Sequence, residues 1–353
     1  MIEKTIAVDP RGPKLAGMRL TAFIAALLLS GAPAPAQQKA ACSLSPGDQA
    51  WLDSSMRAWN YASTRISGIG HVKKIQAVIF DKDCVVTSST AMNGGPNRWS
   101  ASLHHGKVML PDGGSITPQV ISFAGSSAGA AGEKAFFVMS TPTIWREGVK
   151  SGKGTTLENL MTAVMMHEAT HVAQMPTYGA AIDRLAHKYN LPEDFNDDSI
   201  QKSFKGNDEI DASVRRESKL LFEASQARTR AAAASLVRQA RALMKARYAR
   251  WFTGKNAYMT EVEPVFLTLE GSGQWVAYKW EVDPRGGAVK PSAVLDGFVT
   301  DHWWTQGEGF AAFMALERLT GAAWKRQAFH LGQKDVLQML DEAASRYPGA
   351  KPV

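Results

Sequence analysis

Between residues 74 and 140 the apolar positions fall in short runs broken by turn residues; after Ser140 they recur every three or four residues. The first pattern predicts short strands and the second predicts helices. Ahead of both, Ser45, Pro46 and Asp48 have the chemistry of a helix cap, first position and first-turn acid, so a helix is expected from there to about Ser67, ended by Gly68 and Gly70. Ile75 to Phe80 and Cys84 to Thr87, separated by Asp81-Lys82-Asp83, read as a hairpin. Val108 to Leu110 and Val120 to Phe123 flank the turn Pro111-Asp112-Gly113-Gly114, Gly125 to Gly132 is a small-residue loop, and Ala135 to Ser140 is the clearest strand. Thr155 and Glu158 then have capping-box spacing, opening a helix marked by Leu157, Leu160, Met161, Val164 and Met165. Tyr178 to Phe204 is polar and reads as a surface excursion. A long helix is expected from about Ile210 to Phe252, stopping at Gly254. The fold class is α+β, a small mixed or antiparallel sheet followed by a mainly helical C-terminal part, divided at residues 37–152 and 153–353.

The first 36 residues fall outside that pattern. Lys14 and Arg19 precede an apolar run from Leu20 to Leu29, too short to span a bilayer, and Ala34-Pro35-Ala36 supplies a small-residue cleavage site. Residues 1–36 therefore read as a secretory signal, leaving an exported, periplasmic or secreted protein with no stable membrane span. Export makes a disulfide between Cys42 and Cys84, the two cysteines of the chain, the expected state.

The helix after Thr155 carries His167-Glu168-Ala169-Thr170-His171, an H-E-x-x-H motif. Residues four apart on a helix share a face, so both imidazoles can hold one Zn²⁺ while the intervening Glu handles the proton of an activated water. Leu160, Val164, His167 and His171 step by four, three and four, which places the histidines on the apolar stripe and predicts that they point at the core. Glu168, three turns after Leu157, is expected to face inward too. A buried carboxylate beside two imidazoles is costly unless a cation meets it.

A catalytic zinc needs a third protein ligand. No third His follows at metzincin spacing, which leaves an acid from elsewhere. Two Glu-Gly segments compete, Glu270-Gly271 and Glu308-Gly309, each at or near the start of an apolar run. Glu270 is preferred because Val265, Phe266, Leu267, Leu269, Trp275 and Val276 surround it, with Gln274 placed to orient a ligand. Glu308 stands second, Glu217 and Glu223 behind it, and the losing Glu-Gly acid reads as a helix-start charge.

These features resemble the gluzincin metallopeptidases, H-E-x-x-H zinc enzymes whose third ligand is a Glu on a separate helix. The resemblance covers the motif helix, the strand before it and one Glu helix. It implies a zincin-like arrangement, and it implies that Phe136 to Ser140 pairs with an extended substrate. The chain lacks the Asn-Glu pattern of thermolysin-like enzymes and the Gly-x-Met-Glu-Asn sequence of many aminopeptidases. It looks like one of the exported bacterial proteins that carry H-E-x-x-H.

The expected activity is hydrolysis of a peptide or protein substrate, with His167, His171 and Glu270 holding Zn²⁺ and Glu168 as general base. Tyr278 is the first candidate for stabilising the oxyanion, ahead of Tyr258 and His302. Two other readings compete: a non-catalytic envelope binding protein, and an amidase on cell-wall peptide whose groove is lined by Trp275, Trp280, Trp303, Trp304 and Trp324. Net charge of +7, or about +5 once four basic and two acidic residues of the signal are removed, points to no nucleic-acid partner. Arg238, Arg241 and Lys245 on one stripe read as a solvated helix face.

Overall fold

The computed structural model describes residues 42–70, 76–88, 99–127, 134–149, 154–192, 194–299 and 303–348. The signal segment, Ile75, His302 and much of the Gly125–Gly132 loop lie outside them.

The chain is mixed α+β, as its apolar spacing predicts. Helix α1 (Pro46–Tyr61) is capped by Ser45, whose hydroxyl accepts from the Asp48 N–H; the helix continues through a π turn to Ser67 and ends on Gly68 in the left-handed region. Strands β1 (Gln76–Phe80), β2 (Cys84–Ser88), β3 (Trp99–Leu103), β6 (Ser122–Ser127) and β7 (Lys134–Ser140) form one sheet in the order β3-β2-β1-β7-β6. The β1–β2 hairpin pairs Ile79 with Val86, and β1 runs parallel to β7 with Ile79 opposite Met139. β4 (Val108–Met109) and β5 (Ser115–Ile116) make a separate small ribbon around the predicted Pro111–Gly114 turn. Cys42 and Cys84 are bonded, tying the start of the described chain to β2. Cross-linking positions 42 residues apart in sequence contributes about 4 kcal/mol in the chain-entropy account.

Helices α2 (Pro142–Gly148), α3 (Leu157–Gln174), α4 (Ala180–Tyr189), α5 (Ser199–Ser203), α6 (Asp208–Gln226), α7 (Arg230–Trp251), α8 (Met259–Val282), α9 (Pro291–Phe298), α10 (Trp304–Thr320) and α11 (Val336–Ser345) follow. The helix expected over 210–252 is two helices. Ala227 is extended, Thr229 caps α7 by accepting from the Ala232 N–H, and Arg318 donates to the carbonyls of Ala227 and Arg228. The break lets α6 and α7 fold back on each other. The basic stripe on α7 faces solvent, with Arg238 and Lys245 exposed and Arg241 half-buried, and it also holds a neighbour. Arg238 donates to the carbonyls of Ala344 and Tyr347, and Arg241 makes a bidentate pair with Asp341, so both dock α11.

α8 is apolar nearly all round and is buried accordingly, packed between α3 and α10. Its approach to α10 is backbone on backbone. A Cβ at Gly271 would lie 2.2 Å from the carbonyl carbon of Gly309, and one at Gly309 would lie 2.5 Å from the Leu267 carbonyl oxygen. The two Glu-Gly segments therefore meet through their glycines at one helix crossing. No helix among the described residues is long and apolar enough to cross a membrane.

Candidate metal centre

The motif helix α3 starts one residue later than its capping-box spacing suggests. Thr156, not Thr155, accepts from the Asn159 N–H at 3.1 Å, and Glu158 pairs with Arg146 instead of reaching back to the cap. From Met165 to Val172 every residue is buried, because the sheet and α8 both pack against this stretch. Leu160 and Val164 are only half-buried, whereas Met161, Met165 and Ala169 are fully enclosed. The stripe leading to the histidines is thus the more open face of α3, and the core face is the methionine stripe beside it.

Glu270 projects from α8 onto both imidazoles. Its Oε2 lies 3.2 Å from His167 Nε2 and its Oε1 3.2 Å from His171 Nε2, while the two Nε2 atoms are 2.7 Å apart. Glu270 is not near a helix start, as its segment suggests, but in the middle of α8. A four-coordinate metal with ligand bonds of about 2.0–2.1 Å separates its ligand atoms by roughly 3.3 Å. Each carboxylate oxygen lies near that spacing from one imidazole, and the imidazole pair needs to open by about 0.6 Å. Both Nδ1 atoms are buried without a partner among the described residues. Convergence of the Nε2 atoms is thus the one polar arrangement these rings make, and two imidazoles with one carboxylate are a donor set that could hold zinc or another first-row divalent metal.

Electrostatics at the cluster favour positive charge. Burial alone would lower the pKa of His171, but the Glu270 carboxylate outweighs it by charge and hydrogen bond, Glu168 and Asp197 add, and the value is pushed up to about 9. Burial would likewise raise Glu270, yet the two imidazoles hold it well below the usual carboxylate range. Three residues of this region carry no signal in the sequence pattern: Asp197, and Gly273 and Ser272 beside Glu270. No known family, characterised protein or solved structure matches the chain. The chemistry of the cluster therefore rests on its own geometry.

The remaining candidates are dispersed. Glu308, on α10, accepts from Arg247 Nη2 at 3.2 Å in a buried ionic cluster; it is the fifth residue of its helix and not a helix-start charge. Glu217 belongs to the same cluster, and Glu223 pairs with Lys219 on the exposed side of α6. Gln274 donates to Gln306 Oε1 on α10 rather than to a ligand. Tyr278 lies edge-on to Phe298 and Phe310, with ring centroids 5.4 and 5.3 Å away, about 12 Å along the helix from Glu270. No contact joins it to the His–Glu cluster among the described residues. Tyr258 packs on Tyr189 and Phe195 at the far end of α8. Trp275, Trp280, Trp304 and Trp324 are core residues, which removes the basis for a groove lined by them.

Gly273 lies flat under His167. A Cβ there would sit 2.8 Å from Nδ1 and 3.0 Å from Cε1 of the ring. Gly273→Ala should therefore tilt His167 while raising intrinsic helix propensity by about 1 kcal/mol. The expected result is an unchanged or higher melting temperature with metal affinity reduced about 10–100-fold, read by chelator competition. Unaltered affinity would show that the ring has room to move.

Proposed function

We propose that this protein is an exported zinc metallopeptidase of zincin-like architecture, hydrolysing peptide bonds. The observation that carries the reading is the convergence of His167 Nε2, His171 Nε2 and both Glu270 oxygens, brought together from two helices. Zinc, when bound there, supplies the Lewis acidity that makes water a competent nucleophile near neutral pH. Glu168, the neighbour of His167, is buried, and no described group donates a hydrogen bond to its carboxylate. It takes the proton of the attacking water and passes it to the leaving amine.

The strand expected to pair with substrate must be reassigned. β7, which contains Phe136 to Ser140, is bonded to β1 on one side and β6 on the other, so its edges are spent. β6 ends the sheet, packs against α3 and has no partner strand on its outer side among the described residues. An extended peptide added there would be held by backbone hydrogen bonds, which accounts for recognition of peptide as such.

Metal analysis of the purified protein after zinc supplementation is the test. About one zinc per chain is expected, and His167→Ala should bind none. Because His171 starts protonated at pH 7, zinc addition in weak buffer should release protons, and apparent affinity should rise with pH up to about 9. Equal, near-zero zinc in wild type and His167→Ala would overturn the proposal.

A further inference from the structure

The metal centre needs α3 and α8 in one register, yet apolar contacts between helices tolerate sliding. Hydrogen bonds do not, because they weaken steeply with distance and angle. Gln174 is the last residue of α3, one turn past His171, and is fully buried. Its Oε1 accepts from the Ser272 hydroxyl at 3.1 Å, a proton shared with the Leu269 carbonyl at the same distance, and its Nε2 donates to the Ala328 carbonyl at 3.0 Å. Ser272 is two residues past Glu270 on α8, is also fully buried, and adjoins Gly273, on which His167 rests. One side chain thus ties the helix of both histidines to the helix of the glutamate. The Ala328 bond extends the tie to the segment before α11, which is pinned nearby by Thr268 Oγ1 accepting from the Val336 N–H at 2.8 Å and by Tyr178 donating to the Lys334 carbonyl at 2.7 Å.

We infer that Gln174 is a positioning residue of the metal site: its amide, through Ser272 and Ala328, sets the register at which Glu270 meets His167 and His171. This rests on the zinc reading and adds a residue to it. Losing the amide leaves the helices packed but frees Glu270 to drift along α3, so the deficit falls on metal geometry more than on folding.

Gln174→Met keeps the side-chain length and removes both bonds. In the full chain, zinc affinity by chelator competition is expected to fall about 10–100-fold. The visible spectrum of the cobalt-substituted protein should change in band position. Ser272→Ala, which leaves the Ala328 bond intact, should give a smaller loss in the same direction. Leu221→Ala, in the α6 core away from the site, serves as a matched destabilised control and should lower the melting temperature with zinc affinity retained. If Gln174→Met folds and shows wild-type affinity and spectrum, the inference is wrong. Should Gln174→Met fail to fold, Ser272→Ala decides in its place, and wild-type affinity and spectrum there overturn the inference equally. Wild-type protein that binds zinc no better than His167→Ala would sink the zinc reading itself, and this inference with it.

Discussion

Glu168→Gln protein is expected to carry wild-type zinc and to lose peptide hydrolysis by about 10²–10⁴-fold, the usual contribution of a positioned general base. The side chain is only 6% exposed, and no described group donates to it. Glutamine has the same shape, cannot accept the proton of water, and leaves His167, His171 and Glu270 in place. The measurement is product formation from casein or a mixed peptide pool by mass spectrometry, beside zinc content of the same sample. Activity within a few-fold of wild type would remove Glu168 from the mechanism. Loss of zinc with activity would make Glu168 a ligand instead of a base.

The second large effect lies away from the motif. Arg247 is fully buried among three glutamates: Nε is 2.9 Å from Glu217 Oε2, Nη1 2.7 Å from Glu263 Oε1 and Nη2 3.2 Å from Glu308 Oε2. One guanidinium cannot neutralise three carboxylates. Burial, reinforced by Glu217 and Glu263 against the opposing pull of Arg247, drives the Glu308 pKa well above the carboxylate range. Arg247→Met removes the one positive charge that faces all three, leaving Glu217 with the Ser213 hydroxyl at 2.6 Å. Removing one partner of a buried ion pair costs about 3–5 kcal/mol, and this change is expected in that range. That is comparable with the whole stability of a typical domain, about 5–15 kcal/mol. Carboxyls whose folded pKa is raised stabilise the fold fully below their unfolded value, near 4.5, and lose that contribution as pH rises through the folded value. The variant should therefore be unfolded or barely folded at pH 8 and recover stability on acidification toward pH 5. Melting temperatures across that range decide the matter. A variant that melts like wild type at pH 8, or that weakens as pH falls, contradicts this account of the cluster.

Local pattern shows which positions are buried and leaves open what they meet. Ser45, Gly68, the β1–β2 hairpin and the histidine pair are set by neighbours close in sequence, and all are as their spacing suggests. The preference for Glu270 follows from its apolar surroundings; the structure places it beside the imidazoles, in the middle of a helix that begins far earlier than its Glu-Gly segment suggests. Glu217 and Arg247 carry a signal of the same kind. Glu217 sits in the series Ile210, Val214, Glu217, Leu221, and Arg247 in Val237, Ala240, Met244, Arg247, both at core spacing. The reasoning that makes Glu168 conspicuous applies equally to them. The position of β7 inside the sheet was not legible, because strand order is decided by contacts distant in sequence. The same holds for the hydrogen bond between Gln174 and Ser272, 98 positions apart.

The meeting of Gly271 with Gly309 has a mechanical side. Elsewhere in the core a small displacement is absorbed by side chains turning about their bonds, but here main chain rests on main chain and nothing can turn. Glu270 and Glu308 are the residues next to these two glycines, so the His–Glu cluster and the buried Arg247 cluster share one crossing in which neither backbone has room to spare.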